Sequence, residues 1–106
     1  MADLRFLDEP QAALDIESAI EWYETERQGL GLEFAEELRA AYQRIAEGPR
    51  KYQVLRSGIR RAWLRRFPYA VFFACEEDVV VVVAVLHAGR DPEEWQRRMV
   101  ETPASE

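Results

Sequence analysis

The chain has 106 residues, a hydrophobic content of 48% and a formal net charge of −6. This length suits one domain with one packed core, which we expect to span residues 1–106. The longest purely apolar run, residues 79–86, is far shorter than the roughly 20 residues of a membrane-spanning helix. The first ten residues also lack the apolar core of a signal peptide. We therefore expect neither export nor a membrane partner.

The first half of the chain predicts a short strand followed by two helices. Residues 4–7 form the strand, and an acidic pair with a proline ends it. Apolar residues recur at helical spacing over residues 10–27 and again over residues 32–47. Glycines separate the two segments, and a Gly-Pro pair ends the second one. The two helices are expected to form a helical hairpin.

The second half predicts strands and one short helix. After residue 49 the apolar period shortens, and an acidic turn at residues 76–78 precedes the valine-rich last strand. Asp91 as a cap and Pro92 at the first position then indicate a terminal helix. The expected fold class is α+β: an N-terminal strand and a helical hairpin packed on one face of an antiparallel sheet, with three strands in the meander. The core of the domain should cover about residues 4–98, and residues 99–106 should form a flexible tail.

Positive charge is concentrated in the middle of the chain. Residues 49–75 hold six arginines, one lysine and no acid, whereas the segments before and after them are acidic. Four of these arginines, Arg60, Arg61, Arg65 and Arg66, lie within one predicted strand. They indicate a surface for an acidic or polyanionic partner, with an ordinary solvated strand as the alternative. The second face of the sheet is expected to remain available for these side chains.

Few residues in the sequence are suited to catalysis. His87 is the only histidine; we expect it to close the last strand and hydrogen-bond the following loop, with proton transfer as the alternative. Cys75, the only cysteine, lies in an apolar strand pattern that favours a packed thiol. No metal-ligand spacing or phosphate loop occurs, so neither a metal nor a cofactor is predicted. Trp22 is expected to make mainly core or hairpin contacts, with an exposed interface anchor as the alternative.

Four segments in succession resemble the RelE/ParE toxin superfamily of type II toxin–antitoxin modules. They read AIEWYETERQGLGLEFAEEL, IAEGPRKY, IRRAWLRRFPYAVFF and VVVVVAVLHAGRDPEEWQRR. The resemblance covers about residues 4–98 and implies a small cytoplasmic bacterial toxin that a cognate antitoxin binds and neutralises. We expect an acidic, apolar and partly helical antitoxin segment to bind it. The candidate partner-binding residues are Arg60, Arg61, Arg65, Arg66, Arg90 and Trp95.

The superfamily contains two activities, and the resemblance leaves the choice between them open. RelE-like members cleave messenger RNA on the ribosome without a metal, whereas ParE-like members poison DNA gyrase. A ribonuclease site in this chain would draw on Arg65, Arg66, His87 and Arg90. The sequence lacks an evident second acid–base group to work with His87, which favours the gyrase-directed activity. The alternatives are the ribosome-dependent ribonuclease and a degenerate member that only binds an antitoxin.

Overall fold

The computed structural model of the protein describes residues 4–89 together with Glu94, Arg97 and Arg98. Within this part of the chain two helices and five strands follow one another. In chain order they are β1 (Arg5–Asp8), α1 (Pro10–Glu26), α2 (Leu30–Glu47), β2 (Val54–Arg56), β3 (Ile59–Trp63), β4 (Tyr69–Glu76) and β5 (Val79–His87). One 3₁₀ turn, Pro49–Lys51, connects α2 to β2.

The five strands form one sheet in the order β1-β5-β4-β3-β2. Strands β2 to β5 pair antiparallel with their sequence neighbours, whereas β1 lies parallel to β5, with Arg5 opposite Val79. The α+β fold with an N-terminal strand, a helical hairpin and a meander is confirmed. The structure adds a mixed sheet and a fourth meander strand, because Val54–Arg56 forms a short edge strand.

The turn between the helices depends on two glycines and one carboxylate. Gly29 has a φ of 89°, a left-handed conformation that glycine adopts without steric cost. The Glu24 carboxylate accepts hydrogen bonds from the backbone N–H groups of Gly29 and Gly31, at 3.0 Å for the shorter bond to each. A Cβ at Gly31 would lie 2.8 Å from the carbonyl oxygen of Ile20. The hairpin is therefore held by close backbone contact and a capping side chain.

The core lies between the helical hairpin and one face of the sheet. Tyr23, Phe34 and Phe67 stack or meet edge to face there, with ring centroids 4.9–5.5 Å apart. Fully buried Phe73 and Val82 contribute to the same cluster from the two central strands. Burial of this apolar surface stabilises the α-on-β arrangement.

The second face of the sheet is also largely buried. Ile59, Phe72, Ala84 and Leu86 form a separate apolar cluster on this side. The prediction that this face stays available for basic side chains is therefore wrong for the central strands. The valine-rich strand β5 supplies apolar side chains to both faces, because its residues 79–86 are all apolar and successive side chains point to opposite faces. The register of β5 with β4 shifts between Phe72 and Phe73.

The end of the chain is described in part. Glu94, Arg97 and Arg98 are helical, in agreement with the predicted terminal helix. The predicted cap and first position, Asp91 and Pro92, lie outside the described residues. The predicted tail over residues 99–106 also lies outside them.

Candidate partner-binding site

The four central arginines do not share one surface. Arg60 and Arg61 are neighbours in β3 and project to opposite sides of the sheet. The predicted strand included Arg65 and Arg66, but β3 ends at Trp63 and these two arginines follow it. The strand ends there because the N–H of Leu64 donates to the carbonyl of Tyr69 at 2.9 Å, closing the loop to β4. The four arginines therefore lie in three separate environments, and the prediction that one strand carries them all is wrong.

Arg60 stabilises the chain segment that enters β2. Its Nη1 donates to the carbonyl oxygens of Tyr52 at 2.7 Å and Arg50 at 3.2 Å. The side chain is half-buried on the helix side of the sheet. This nitrogen is therefore occupied by the protein's own backbone, and a role for Arg60 in partner binding stays a prediction.

Arg61, which is half-buried, and Trp63, which is exposed, form a pair on the other side of β3. The Arg61 Cζ lies 5.2 Å from the centroid of the Trp63 ring, within the range of a cation–π contact. Arg61 Nη2 also donates to Gln53 Oε1 at 3.3 Å. Trp63 keeps 47% of its surface exposed. Arginine and tryptophan are the side chains most enriched at the energetic centres of protein interfaces, so this pair is a candidate anchor.

Arg66 is directed towards helix α2. Its Nη2 lies 2.8 Å from Glu33 Oε1, and its Cζ lies 5.5 Å from the Phe67 ring centroid. The hydrogen bond from Arg66, helped by Arg27, holds the pKa of the Glu33 carboxyl below its ordinary value of 4.5. The Arg65 backbone N–H donates to Glu37 at 2.9 Å, whereas its exposed guanidinium forms no ion pair with another described residue. Of these two arginines, Arg65 is the freer to meet a partner.

His87 makes the loop contact expected from the sequence. The backbone N–H of Gly89 donates to His87 Nδ1 at 2.8 Å, so the neutral ring carries its proton on Nε2. The imidazole also meets the ring of Tyr69 edge to face, with centroids 5.2 Å apart. These two residues face each other in the β4–β5 register. His87 is therefore oriented by its own strand end, with Nε2 as the nitrogen left for other contacts.

An open groove lies between α1 and the end of β5. Its volume is about 770 Å³, and its lining includes Gln11, Leu14, Ser18, Trp22, Tyr69 and His87. Leu14 and Trp22 are 55% and 57% exposed. The expectation that Trp22 packs mainly within the core or hairpin is wrong, because its side chain is exposed, and the alternative of an interface anchor stays a prediction. The spacing of Leu14, Ser18 and Trp22 on one side of a helix could have revealed this groove.

One buried ion pair was not predicted from the sequence. Arg98 forms a two-pronged contact with Asp15, with both nitrogen–oxygen distances at 3.0 Å. It also donates to Glu94 at 3.0 Å and to the carbonyl of Val83 at 3.2 Å. Asp15 in turn accepts the backbone N–H of Val85 at 3.0 Å. This network joins α1, β5 and the terminal helix beside the groove.

A family model for the ParE toxin of the type II toxin–antitoxin system parDE matches residues 9–92. The chain belongs to this family. A similar solved structure is described as the chromosomal ParDE toxin–antitoxin system from P. aeruginosa. It aligns with a TM-score of 0.69 over 79% of this chain and 95% of that chain, at 12% identity, and is thus a likeness of fold. A comparison with curated proteins found no significant match.

Membership of the ParE toxin family confirms the resemblance to the RelE/ParE superfamily and implies an antitoxin partner. Two of the predicted site residues, Arg90 and Trp95, lie outside the described residues.

Cys75 is half-buried, with its sulfur 3.7 Å from Arg50 Nη1. Among the described residues no three His, Cys, Asp or Glu side chains are arranged to hold a metal ion. No described helix is long and apolar enough to cross a membrane.

Two of the candidate ribonuclease residues in the described part of this ParE-family toxin make contacts within the chain. A metal-free ribonuclease needs an acid, a base and cations that converge on one phosphate. Here the candidate cation Arg66 is paired with Glu33, and the candidate base His87 accepts a backbone hydrogen bond through Nδ1. The exposed Trp63, with the half-buried Arg61 held against it, instead suits the surface of a protein partner.

Proposed function

We propose that this protein is the toxin of a type II toxin–antitoxin module, that it acts on DNA gyrase, and that a cognate antitoxin neutralises it. The match of residues 9–92 to the ParE toxin model carries the proposal. The ion pair of Arg66 with Glu33 supports it, because this pair occupies a cation that a ribonuclease would need. The proposed toxin acts in the cytoplasm, where its target works.

The antitoxin is proposed to bind at the pair of Arg61 and Trp63, with Arg65 as an additional contact. An acidic segment with large apolar residues could cover the exposed indole while a carboxylate reaches Arg61. Arg61 is already held by its contact with Trp63, so little side-chain freedom would be lost on binding. Arg60 and Arg66 should contribute less, since both are engaged within the chain.

A calorimetric titration with the antitoxin candidate encoded beside the gene tests this surface. Arg61→Glu and Trp63→Ala should each weaken binding by about tenfold or more, and Arg61→Glu should also reduce its salt dependence. Arg39→Glu is the matched control, because Arg39 is an exposed arginine on α2 with no ion pair to another described residue. Equal affinities for the three variants and the parent would show that the antitoxin does not bind this surface.

The cellular target is tested by induced expression without the antitoxin. The proposal expects growth arrest with gyrase–DNA cleavage complexes and intact transcripts. His87→Gln should leave the arrest unchanged, since the glutamine amide retains a hydrogen-bonding group in place of the imidazole. Circular dichroism confirms that the variant is folded.

Cleavage of messenger RNA is the second candidate function. It is favoured by the exposed imidazole of His87, whose Nε2 is left for contacts beyond its own loop. Under this function His87→Gln should reduce cleavage by about 10²–10⁴-fold, as expected for one positioned acid–base group. Transcript cleavage mapped by primer extension in the parent and lost in this variant would replace gyrase as the proposed target. Complete absence of growth arrest would instead indicate a member that only binds its antitoxin.

A further inference from the structure

The groove between α1 and the end of β5, here called the α1 groove, has an apolar wall made of two exposed side chains. Leu14 and Trp22 are both more than half exposed and lie eight residues apart on α1. At a rise of 1.5 Å per residue this separation is about 12 Å, or two helical turns. Tyr69 and Val85 line the groove from the sheet. Exposed apolar residues grouped in a concave site are typical of interaction surfaces.

Beside the residues that line the α1 groove, helix α1 carries further acidic residues, here called the rim. Helix α1 contains five acidic residues and no basic one. Two of the five have partners within the chain, since Asp15 pairs with Arg98 and Glu24 accepts backbone N–H groups of the helix turn. The other three, Glu17, Glu21 and Glu26, are exposed and form no ion pair with another described residue. Glu17 and Glu21 follow Leu14 by three and seven residues, which places them beside it on the helix surface.

We propose that the α1 groove docks a basic amphipathic helix of a partner protein. Large apolar residues two turns apart on that helix would cover Leu14 and Trp22, as in other helix-in-groove interfaces. Arginine or lysine on its flank would meet Glu17 and Glu21. This partner segment is opposite in charge to the acidic segment proposed for Arg61 and Trp63. The α1 groove is therefore a second docking surface, independent of the antitoxin site and of the cellular target.

Three labelled 17-residue peptides and the full-length chain test the proposal by fluorescence anisotropy. The first peptide carries leucines at helical spacing with arginine flanks. The second has glutamate in place of arginine, and the third keeps the composition of the first in a scrambled order. The first should bind at least about tenfold more tightly than either of the others, with an affinity that falls as salt is added.

Substitutions in the α1 groove should weaken the binding of the first peptide and leave the binding of the other two unchanged. Leu14→Asp and Trp22→Ala should each weaken its binding by about tenfold or more. Leu32→Asp is the matched control, because Leu32 is a leucine on α2 that is also more than half exposed. Circular dichroism verifies the fold of each variant. This test uses neither gyrase nor the antitoxin, so it can fail while the proposed function stands.

Several outcomes would overturn the proposal. Equal binding of the arginine and glutamate peptides would show that the rim charge does not select the partner. Equal binding of the scrambled peptide, or no effect of Leu14→Asp and Trp22→Ala, would show that the apolar groove is not the site. A dimer seen by sedimentation and abolished by Leu14→Asp would make a second copy of the chain the occupant. Failure of the parent to bind any peptide would also reject the docking site.

Discussion

Replacing Arg98 by methionine is expected to lower the free energy of unfolding by about 3–5 kcal/mol. The side chains of Arg98 and Asp15 are only 8% and 13% exposed, and two contacts of 3.0 Å join them. The hydrogen bond from Arg98 to Asp15 raises the pKa of the guanidinium above its ordinary value, so this side chain is charged wherever the protein folds. Methionine keeps much of the aliphatic volume but leaves the buried Asp15 carboxylate without its cation.

The expected loss is large for a chain of this size. An unfolding entropy of about 2.1 cal/mol/K per residue gives roughly 0.22 kcal/mol/K for the 106 residues. A loss of about 3–5 kcal/mol therefore corresponds to a melting temperature about 13–22 °C lower. Urea denaturation followed by circular dichroism measures the free energy, and a thermal scan measures the shift.

A second substitution separates the buried charge from simple loss of packing. Adding Asp15→Asn to Arg98→Met should restore more than half of the lost stability, because the neutral amide can still accept the N–H of Val85. Arg27→Met is the exposed control; its side chain is 59% exposed, and its ion pair should contribute less than about 1 kcal/mol. The reasoning is refuted if Arg98→Met costs no more than Arg27→Met.

Three further outcomes are expected. Arg66→Ala should raise the pKa of the Glu33 carboxyl in a carbon-13 NMR titration, because the hydrogen bond from Arg66 is the main cause of the lowered pKa. The ionised Glu33 contributes to stability above the acid range, and this contribution disappears as the pH falls through the folded-state pKa. Gly31→Ala should lower the free energy of unfolding in urea by roughly 1–3 kcal/mol, since the new Cβ would lie 2.8 Å from a carbonyl oxygen of α1. An unchanged free energy of unfolding would contradict the close contact. Tyr42→Phe should cost about 1 kcal/mol in the same assay by removing the 2.9 Å hydrogen bond to Asp8, whereas a neutral result would make that bond dispensable.

The elements of the fold were predictable because their periods are local properties of the sequence. Both helices and the valine-rich strand end within two residues of the predicted bounds. The parallel pairing of β1 with β5 was not predicted, since apolar alternation specifies which side of a strand is buried but not its neighbour or direction. The burial of the second sheet face was missed for a related reason. Arg61 in β3 suggested a polar side, although Phe72 beside it in β4 is buried there.

The candidate site was less predictable because it depends on contacts between distant segments. The end of β3 at Trp63 is set by a hydrogen bond across the loop, which separates Arg65 and Arg66 from the strand arginines. Asp15 and Arg98 are 83 residues apart and carry no shared motif. Trp22 could have been assigned to the surface from its helical position, whereas its apolar character suggested the core.

The parallel pairing of β1 with β5 also affects how the protein is made. Arg5 meets Val79, which follows it by 74 residues in the chain. At about 5–20 residues per second, a ribosome adds those residues in about 4–15 s. The helical hairpin needs only local contacts and can form during that time, whereas β1 has no strand to pair with until β5 has been synthesised. Chains cut short before residue 79 therefore lack the central strand between β1 and β4, and nascent or truncated products should not display the finished partner-binding surfaces.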